Sequence, residues 1–141
     1  MKRTLGLTLL LFATLFSCMR QEKPLPAELS RAESVMWEHP DSALSILRSM
    51  PQSSLSIGKN YATWALLLAQ ARDKVYGKRL PDSLNIPSSD KLVQDAMDYF
   101  EKEGDLKRMA QTYYYKGQLL KDQKKITEAM PFFLKSKEMM T

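Results

Sequence analysis

The sequence predicts an all-α protein built from helical hairpins stacked in series. Ala, Leu, Lys, Glu, Gln and Met dominate the second half of the 141-residue chain, and these residue types favour helix. Only five glycines are present, and alternating stretches of Val, Ile and Thr that would build a sheet are absent. The hydrophobic fraction of 44% and the charged fraction of 26% are ordinary for a single globular domain.

The chain begins with a leader. Met1–Arg3 is a short basic head, and residues 5–16 are almost wholly apolar. This apolar run is too short for a stable membrane anchor, which takes roughly 20 residues. Because a basic head, an apolar core and a small residue follow one another as in a secretory signal, we predict a cleaved signal peptide over residues 1–17.

The leader closes with Leu15-Phe16-Ser17-Cys18. This stretch resembles the lipobox of bacterial lipoproteins, in which a small residue precedes a cysteine that receives a diacylglycerol and becomes the first mature residue. Leu15 and Ser17 match that pattern, and the bulky Phe16 departs from it. The resemblance implies lipidation of Cys18, a tether over residues 18–25 and an exported protein anchored in the cell envelope, with the outer membrane as the expected location. An ordinary signal peptide with an incidental cysteine and a buried core helix are the alternatives.

The body of the chain predicts a first pair of short helices over residues 26–50. His39-Pro40 ends the first helix, because the residue before proline avoids the helical conformation. Asp41 stands where an N-cap belongs, and Pro51 ends the second helix. The apolar residues at helical spacing are Leu29, Ala32, Val35 and Met36, then Ala43, Leu44, Ile46 and Leu47.

A second pair is predicted over residues 59–103. Its first helix, from about Lys59 to Val75, is apolar on several sides, so we expect it to pack between neighbours. Residues 77–89 form a loop rich in proline, serine and aspartate. Gly104 is a good stop for the second helix of this pair.

The third pair is predicted over residues 105–140. Asp105 can cap its first helix, and residues 123–125 form the turn. Pro131 is expected near the first turn of the last helix, where a missing N–H costs least.

Small residues recur at equivalent places in the three pairs. Ala43, Ala96 and Ala129 are each followed four residues later by a large apolar side chain. From Ala96 to Ala129 the interval is roughly 33 residues, a period typical of helical solenoids.

This pattern resembles the tetratricopeptide repeat, which places small residues where helices cross closely. Trp64-x-x-Leu67 matches the opening of one repeat, and a second repeat matches at Tyr113, Gly117, Ala129 and Phe133. Lys116 and Leu120 depart from the usual residues of that second repeat, and the first helix pair is degenerate. The resemblance covers residues 26–141 and implies a right-handed superhelical stack of antiparallel hairpins.

No reactive site is predicted, so we expect a binding protein and not an enzyme, with no catalytic residue, metal or cofactor. One cysteine and one histidine exclude an intrachain disulfide and a zinc site of the common kind. His39 lies in a turn with no nucleophile nearby in the sequence. The net charge of +5 is scattered, which does not favour nucleic acid. No glycine-rich phosphate loop is present.

Two other groups of side chains have structural interpretations that we prefer. Asp95, Asp98 and Glu101 share a helix face and could form a paired-carboxylate site, but a solvated acidic face is the simpler interpretation. Consecutive tyrosines at residues 113–115 could stack bases, but Tyr113 is more simply explained as a core residue.

The resemblance also implies where a ligand would bind. In tetratricopeptide arrays the first helix of each pair lines a concave groove that holds an extended peptide or a partner helix. The positions that carry over are Arg72, Asp73, Gln111, Tyr114, Gln118, Lys121 and Asp122, with the small residues Ala62, Ala65 and Ala69. A solvated surface is the alternative interpretation of these residues.

The functional prediction is a lipid-anchored scaffold that binds a protein or peptide. A second hypothesis is the N-terminal sensor part of a longer membrane-bound signalling or transcription-regulatory protein. A third is part of a glycan-binding lipoprotein of nutrient uptake, which would need a longer chain and exposed aromatic platforms. The last helix carries more apolar groups than one inward stripe needs, so we also expect the protein to self-associate through it or to behave as a marginally stable monomer. These apolar groups are Met130, Phe133, Leu134, Met139 and Met140.

Overall fold

A computed structural model describes residues 23–55 and 58–141. The predicted signal peptide, Cys18 and the start of the predicted tether lie outside these described residues. Within them the chain is all-helical, with no strand, and three short 3₁₀ turns separate some of the helices. The six α-helices are α1 (Ala27–Val35), α2 (Pro40–Ser49), α3 (Lys59–Tyr76), α4 (Ser89–Glu103), α5 (Leu106–Asp122) and α6 (Ile126–Met140).

The junction between α4 and α5 follows the sequence prediction. Gly104 adopts the left-handed conformation with φ of 72°, and its N–H donates to the carbonyl of Phe100 at 2.9 Å. The side chain of Asp105 then accepts a hydrogen bond from the backbone N–H of Arg108 at 3.0 Å. Glycine and aspartate in succession therefore end one helix and start the next within two residues.

Two predicted helix starts are wrong in detail. Asp41 is not the N-cap of α2: His39 holds that position, Pro40 is the first helical residue, and Asp41 lies inside the first turn. Proline occupies the first position readily because its missing N–H would have no partner there. Pro131 is not near the first turn of α6 but inside the helix, where its missing N–H removes one backbone hydrogen bond.

Helices that follow one another in the chain pack on one another, from α1 against α2 to α5 against α6. The first helices of the three pairs also touch, α1 against α3 and α3 against α5. Within the described ranges there is no comparable contact between α2 and α4, or between α4 and α6. This order of contacts is compatible with an α-solenoid.

The centre of the core is α3, which is buried continuously from Ala62 to Arg72. As predicted, a helix with apolar groups on several sides packs between neighbours. Trp64 anchors it to the first pair, since its indole N–H donates to the carbonyl of Leu47 at 2.9 Å. The repeated alanines, Ala43, Ala96 and Ala129, are all buried.

The closest helix crossing joins α5 to α6. A Cβ added at Gly117 would lie 2.8 Å from Cε1 of Phe133, so the phenyl ring rests directly on the glycine. Real Cβ atoms essentially never approach so closely, which makes glycine the residue that fits. Since Phe133 also packs edge-to-face on Tyr114 at 5.8 Å between ring centroids, the crossing fixes an aromatic side chain on the neighbouring surface.

Candidate ligand-binding groove

A concave pocket of about 430 Å³ opens on the face where α3 and α5 lie side by side. We call it the groove. The turn after α1 and the C-terminal half of α6 complete its walls, so all three helix pairs contribute. It is lined by Trp37, Gln70, Asp73, Lys74, Lys107, Ala110, Gln111, Tyr114, Tyr115, Ser136 and Met140.

Aromatic and apolar side chains dominate the groove's open surface. Trp37 is 75% exposed, Met140 is 71% exposed and Tyr114 is 42% exposed. Tyr114 is held by edge-to-face packing on Tyr115, with 5.2 Å between ring centroids and 89° between ring planes. Lys74 Nζ lies 3.4 Å from the centroid of the Trp37 ring, a cation–π contact that joins α3 to the turn after α1.

An ion pair spans the groove's base from the first pair to the third. Arg108 on α5 donates from both terminal nitrogens to Glu33 on α1, at 2.8 and 2.9 Å. The same guanidinium donates to Oε1 of Gln111 at 3.2 Å. Neither side chain of this pair lines the groove, and the cationic groups that do are Lys74 and Lys107.

The electrostatics of the groove centre on Asp73. Burial raises the pKa of its carboxyl group, and the nearby Asp122 raises it further, while Lys121 and Lys74 act in the opposite direction. The pKa of Tyr115 is also raised, chiefly by burial and then by the charge of Asp73. These two groups therefore resist ionisation on the wall of an apolar pocket.

A second, smaller pocket of about 240 Å³ lies beside the groove and shares Asp73 with it. Arg72 lines this pocket but is 3% exposed, and its guanidinium donates to the carbonyl of Pro87 at 2.7 Å and of Ile86 at 3.3 Å. These bonds fasten the loop between α3 and α4 to α3. Asp122 lies in the same pocket, with Lys78 Nζ 3.8 Å from its carboxylate.

The structure therefore divides the seven groove positions predicted from the sequence. Asp73, Gln111 and Tyr114 come together in the groove, whereas Arg72 and Asp122 lie in the smaller pocket. Gln118 and Lys121 line neither of the two. The alanines expected along the groove, Ala62, Ala65 and Ala69, are buried in the core.

Sequence reasoning missed several lining residues. Lys107 precedes Gln111 and Tyr114 at helical spacing, so the same row could have been followed one turn towards the start of α5. Lys74 follows Gln70 on α3 in the same way. Trp37 and Met140 carried no such signal, because each lies at the end of a helix and reaches the groove only through tertiary packing.

The acidic residues on α4 have partners. Asp95 accepts hydrogen bonds from Lys91 Nζ and from the Tyr61 hydroxyl, both at 2.9 Å. Gln94 donates to Asp98 at 2.8 Å, and the Tyr113 hydroxyl donates to Glu101. That last bond is the main cause that raises the pKa of Tyr113 to about 12, with burial second. Each carboxylate thus has its own donor, and the three do not form one site.

Two broader observations hold for residues 23–55 and 58–141. No group of three histidine, cysteine or acidic side chains is arranged to hold a metal ion. No helix in these ranges combines the length and the apolar character that crossing a membrane requires.

Searches of protein-family models, curated proteins and solved structures each gave no match to this chain.

Proposed function

We propose that this chain is a lipid-anchored protein of the bacterial cell envelope that binds an extended segment of a protein partner in the groove. Its helix pairs would form a right-handed stack of the tetratricopeptide kind, anchored through a diacylglyceryl group on Cys18. The observation that carries the proposal is the meeting of Asp73, Gln111 and Tyr114 in one concave apolar pocket.

The composition of the groove suits a peptide. Trp37, Tyr114 and Met140 offer apolar surface for a side chain, and burying such surface contributes about 25 cal/mol per Å². The amides of Gln70 and Gln111 can exchange hydrogen bonds with a peptide backbone. A pocket with an apolar surface and a few polar groups at defined places is typical of ligand-binding sites.

The contacts among the helices support the finer arrangement of the stack. In tetratricopeptide arrays the first helices of the pairs line the concave side, and here α1 also touches α3 and α3 also touches α5, beyond the contacts between consecutive helices. The close fit of Phe133 on Gly117 occurs at two positions that match the repeat.

A second candidate function is glycan binding, because Trp37 and Tyr114 are aromatic side chains exposed at the same groove. Lys74 already covers one face of the Trp37 ring, which favours the peptide.

The two tryptophans make a binding assay possible. Trp64 is buried and Trp37 is exposed, so Trp64→Phe leaves Trp37 as the single fluorophore, at the groove. Random peptides displayed on phage would be selected against the full chain, and the selected peptides and a set of neutral oligosaccharides would then be titrated. We expect peptides to protect Trp37 from quenching by acrylamide and oligosaccharides to leave it accessible.

Variants on one helix then test the position of the site. We expect Tyr114→Ala to weaken peptide binding by about tenfold, as removal of an aromatic anchor commonly does. Gln118→Ala on the same helix should leave binding unchanged, because Gln118 is uncharged and does not line the groove. The proposal would be contradicted if Tyr114→Ala bound the peptide as well as the unsubstituted protein does, or if Asp98→Asn on the acidic face lost binding.

The anchor has its own test. Mass spectrometry of the membrane fraction should find a lipid-modified N-terminus at Cys18, and Cys18→Ala should release the protein or block its processing. Recovery of unmodified protein that still carries Met1 would rule out lipidation.

A further inference from the structure

One side of the last helix presents an apolar surface to solvent. Ile126, Met130 and Leu134 follow one another at four-residue spacing and are 53%, 51% and 54% exposed. We call these three residues the stripe. The other side of α6 packs on α5 through the buried residues Ala129 and Ser136, so the stripe is not part of the core.

The opposite end of the stack does not match the stripe. Apart from Ala27, the exposed side chains of α1 and α2 are polar or charged, and they include Glu28, Arg31, Ser34, Asp41, Ser45 and Arg48. A head-to-tail contact between copies would place the stripe against this polar surface. The other large apolar side chains exposed among the described residues do not continue the stripe: three line the groove, and Ile86 and Leu106 lie in the loop before α4 and at the start of α5. The stripe of another copy matches the stripe in length and character.

The charges around the stripe determine the direction of such a contact. Lys124 precedes the stripe, Glu138 follows it, and both are exposed. In a parallel pairing, Lys124 and Glu138 of one copy would each lie opposite the same residue of the other copy. An antiparallel pairing brings Glu138 of each copy towards Lys124 of the other. Helix dipoles also favour the antiparallel arrangement.

We propose that a second copy of this chain covers the stripe through an antiparallel, two-fold pairing of α6 with α6. Met130 would lie at the symmetry axis, and Ile126 of each copy would pack on Leu134 of the other. Contacts of this kind are closed, because each copy uses the same surface.

The pairing leaves both grooves open. Ser136 and Met140 are the residues of α6 that line the groove, and none of the three stripe residues lines it. A dimer would therefore present two grooves to a partner, and a partner with two binding segments would gain avidity without any new contact. The pairing does not depend on what the groove binds.

Disulfide cross-linking in native membranes tests both the partner and the direction. The full chain would be expressed in two tagged forms, one with Ile126→Cys and one with Leu134→Cys, beside a chain with no added cysteine as the control. In an antiparallel pairing, Ile126 of one copy and Ile126 of the other lie about 12 Å apart along the helix axes. Disulfides require Cα atoms within about 7 Å. We therefore expect the Ile126→Cys form to cross-link to the Leu134→Cys form, and little cross-linking when either form is expressed alone.

Other outcomes overturn the proposal. Cross-linking of each form with itself but not with the other would show a parallel contact. A cross-link to a different protein, or none above the control, would show that another partner or solvent covers the stripe.

Sedimentation of the full chain in detergent gives an independent measurement. Met130→Glu should raise the dissociation constant of the dimer by about tenfold or more, because it buries a charge at the axis. Lys135→Glu lies on the same helix off the stripe and should leave the constant unchanged. Sedimentation of the unsubstituted chain as a monomer would refute the pairing. Equal effects of the two substitutions on the dissociation constant, with helical content intact, would refute it as well.

Discussion

Gly117→Ala tests the helix crossing on which the third pair depends. Gly117 lies inside α5 with an ordinary helical backbone, so alanine would raise the helix propensity of this position by about 1 kcal/mol if space were available. Space is not available, because the new Cβ would lie 2.8 to 2.9 Å from three atoms of the Phe133 ring. The prediction therefore depends on which of two opposite effects is larger.

The steric effect should be the larger one. Forcing one extra methyl group into a close contact costs about 1–3 kcal/mol, since a neighbour must leave its preferred position. Phe133 cannot turn aside freely, because it also packs edge-to-face on Tyr114. After subtraction of the propensity gain, we expect a net loss of up to about 2 kcal/mol in the free energy of unfolding. For a domain of this size that corresponds to a fall of up to roughly 8 °C in Tm.

Thermal and urea unfolding followed by circular dichroism would measure the effect. Phe133→Leu removes part of the ring, so Gly117→Ala should cost about 1 kcal/mol less in that background than alone. Gln118→Ala on the same helix serves as the control and should change stability by less than about 0.5 kcal/mol. If Gly117→Ala stabilises the protein, as it would in an open helix, the close crossing is wrong.

Two further predictions concern charged groups. Asp73→Asn should raise Tm at pH 7, because the raised pKa of Asp73 means that ionisation of this carboxyl group opposes folding. The stability that the protonated carboxyl group contributes is present below its pKa in the unfolded chain and is lost as the pH rises through its pKa in the folded protein. The gain in Tm from the substitution should therefore vanish in acid. Arg108→Met should cost about 1–3 kcal/mol in urea unfolding, since it leaves Glu33 without its main donor. Lys91→Met removes an exposed partner of Asp95 and should lower the free energy of unfolding less than Arg108→Met does. These assignments would be wrong if Asp73→Asn had a lower Tm than the unsubstituted protein at pH 7, or if Arg108→Met and Lys91→Met lost the same free energy of unfolding.

Local chemistry explains which parts of the fold could be predicted from the sequence. The stop at Gly104 and the cap at Asp105 depend on the conformational preferences of single residues, and both are confirmed. The start of α2 was misplaced by two residues because proline and aspartate both favour a first turn, and only the observed backbone distinguishes their order. The turn at residues 123–125 is confirmed, and since α6 begins at Ile126, Pro131 lies beyond its first turn and not within it.

The candidate groove could be predicted only in part, because helical spacing identifies a row of residues but not where a second helix diverges from it. Tyr114 and Gln111 lie beside α3, whereas Gln118 and Lys121 continue the same row beyond the groove. Arg72 was misjudged for a related reason: the loop that buries it is fixed by contacts with residues 86 and 87, which periodicity does not reveal.

The groove depends on the whole stack of helix pairs. Trp37 comes from the first pair, Asp73 from the second and Tyr114 from the third. Arg108 and Glu33 also join the third pair directly to the first. A ligand that occupies the groove would therefore bind only when all three pairs are assembled, and by linkage it would stabilise them together. Loss of the Arg108–Glu33 pair should weaken ligand binding as well as folding, although neither side chain lines the groove.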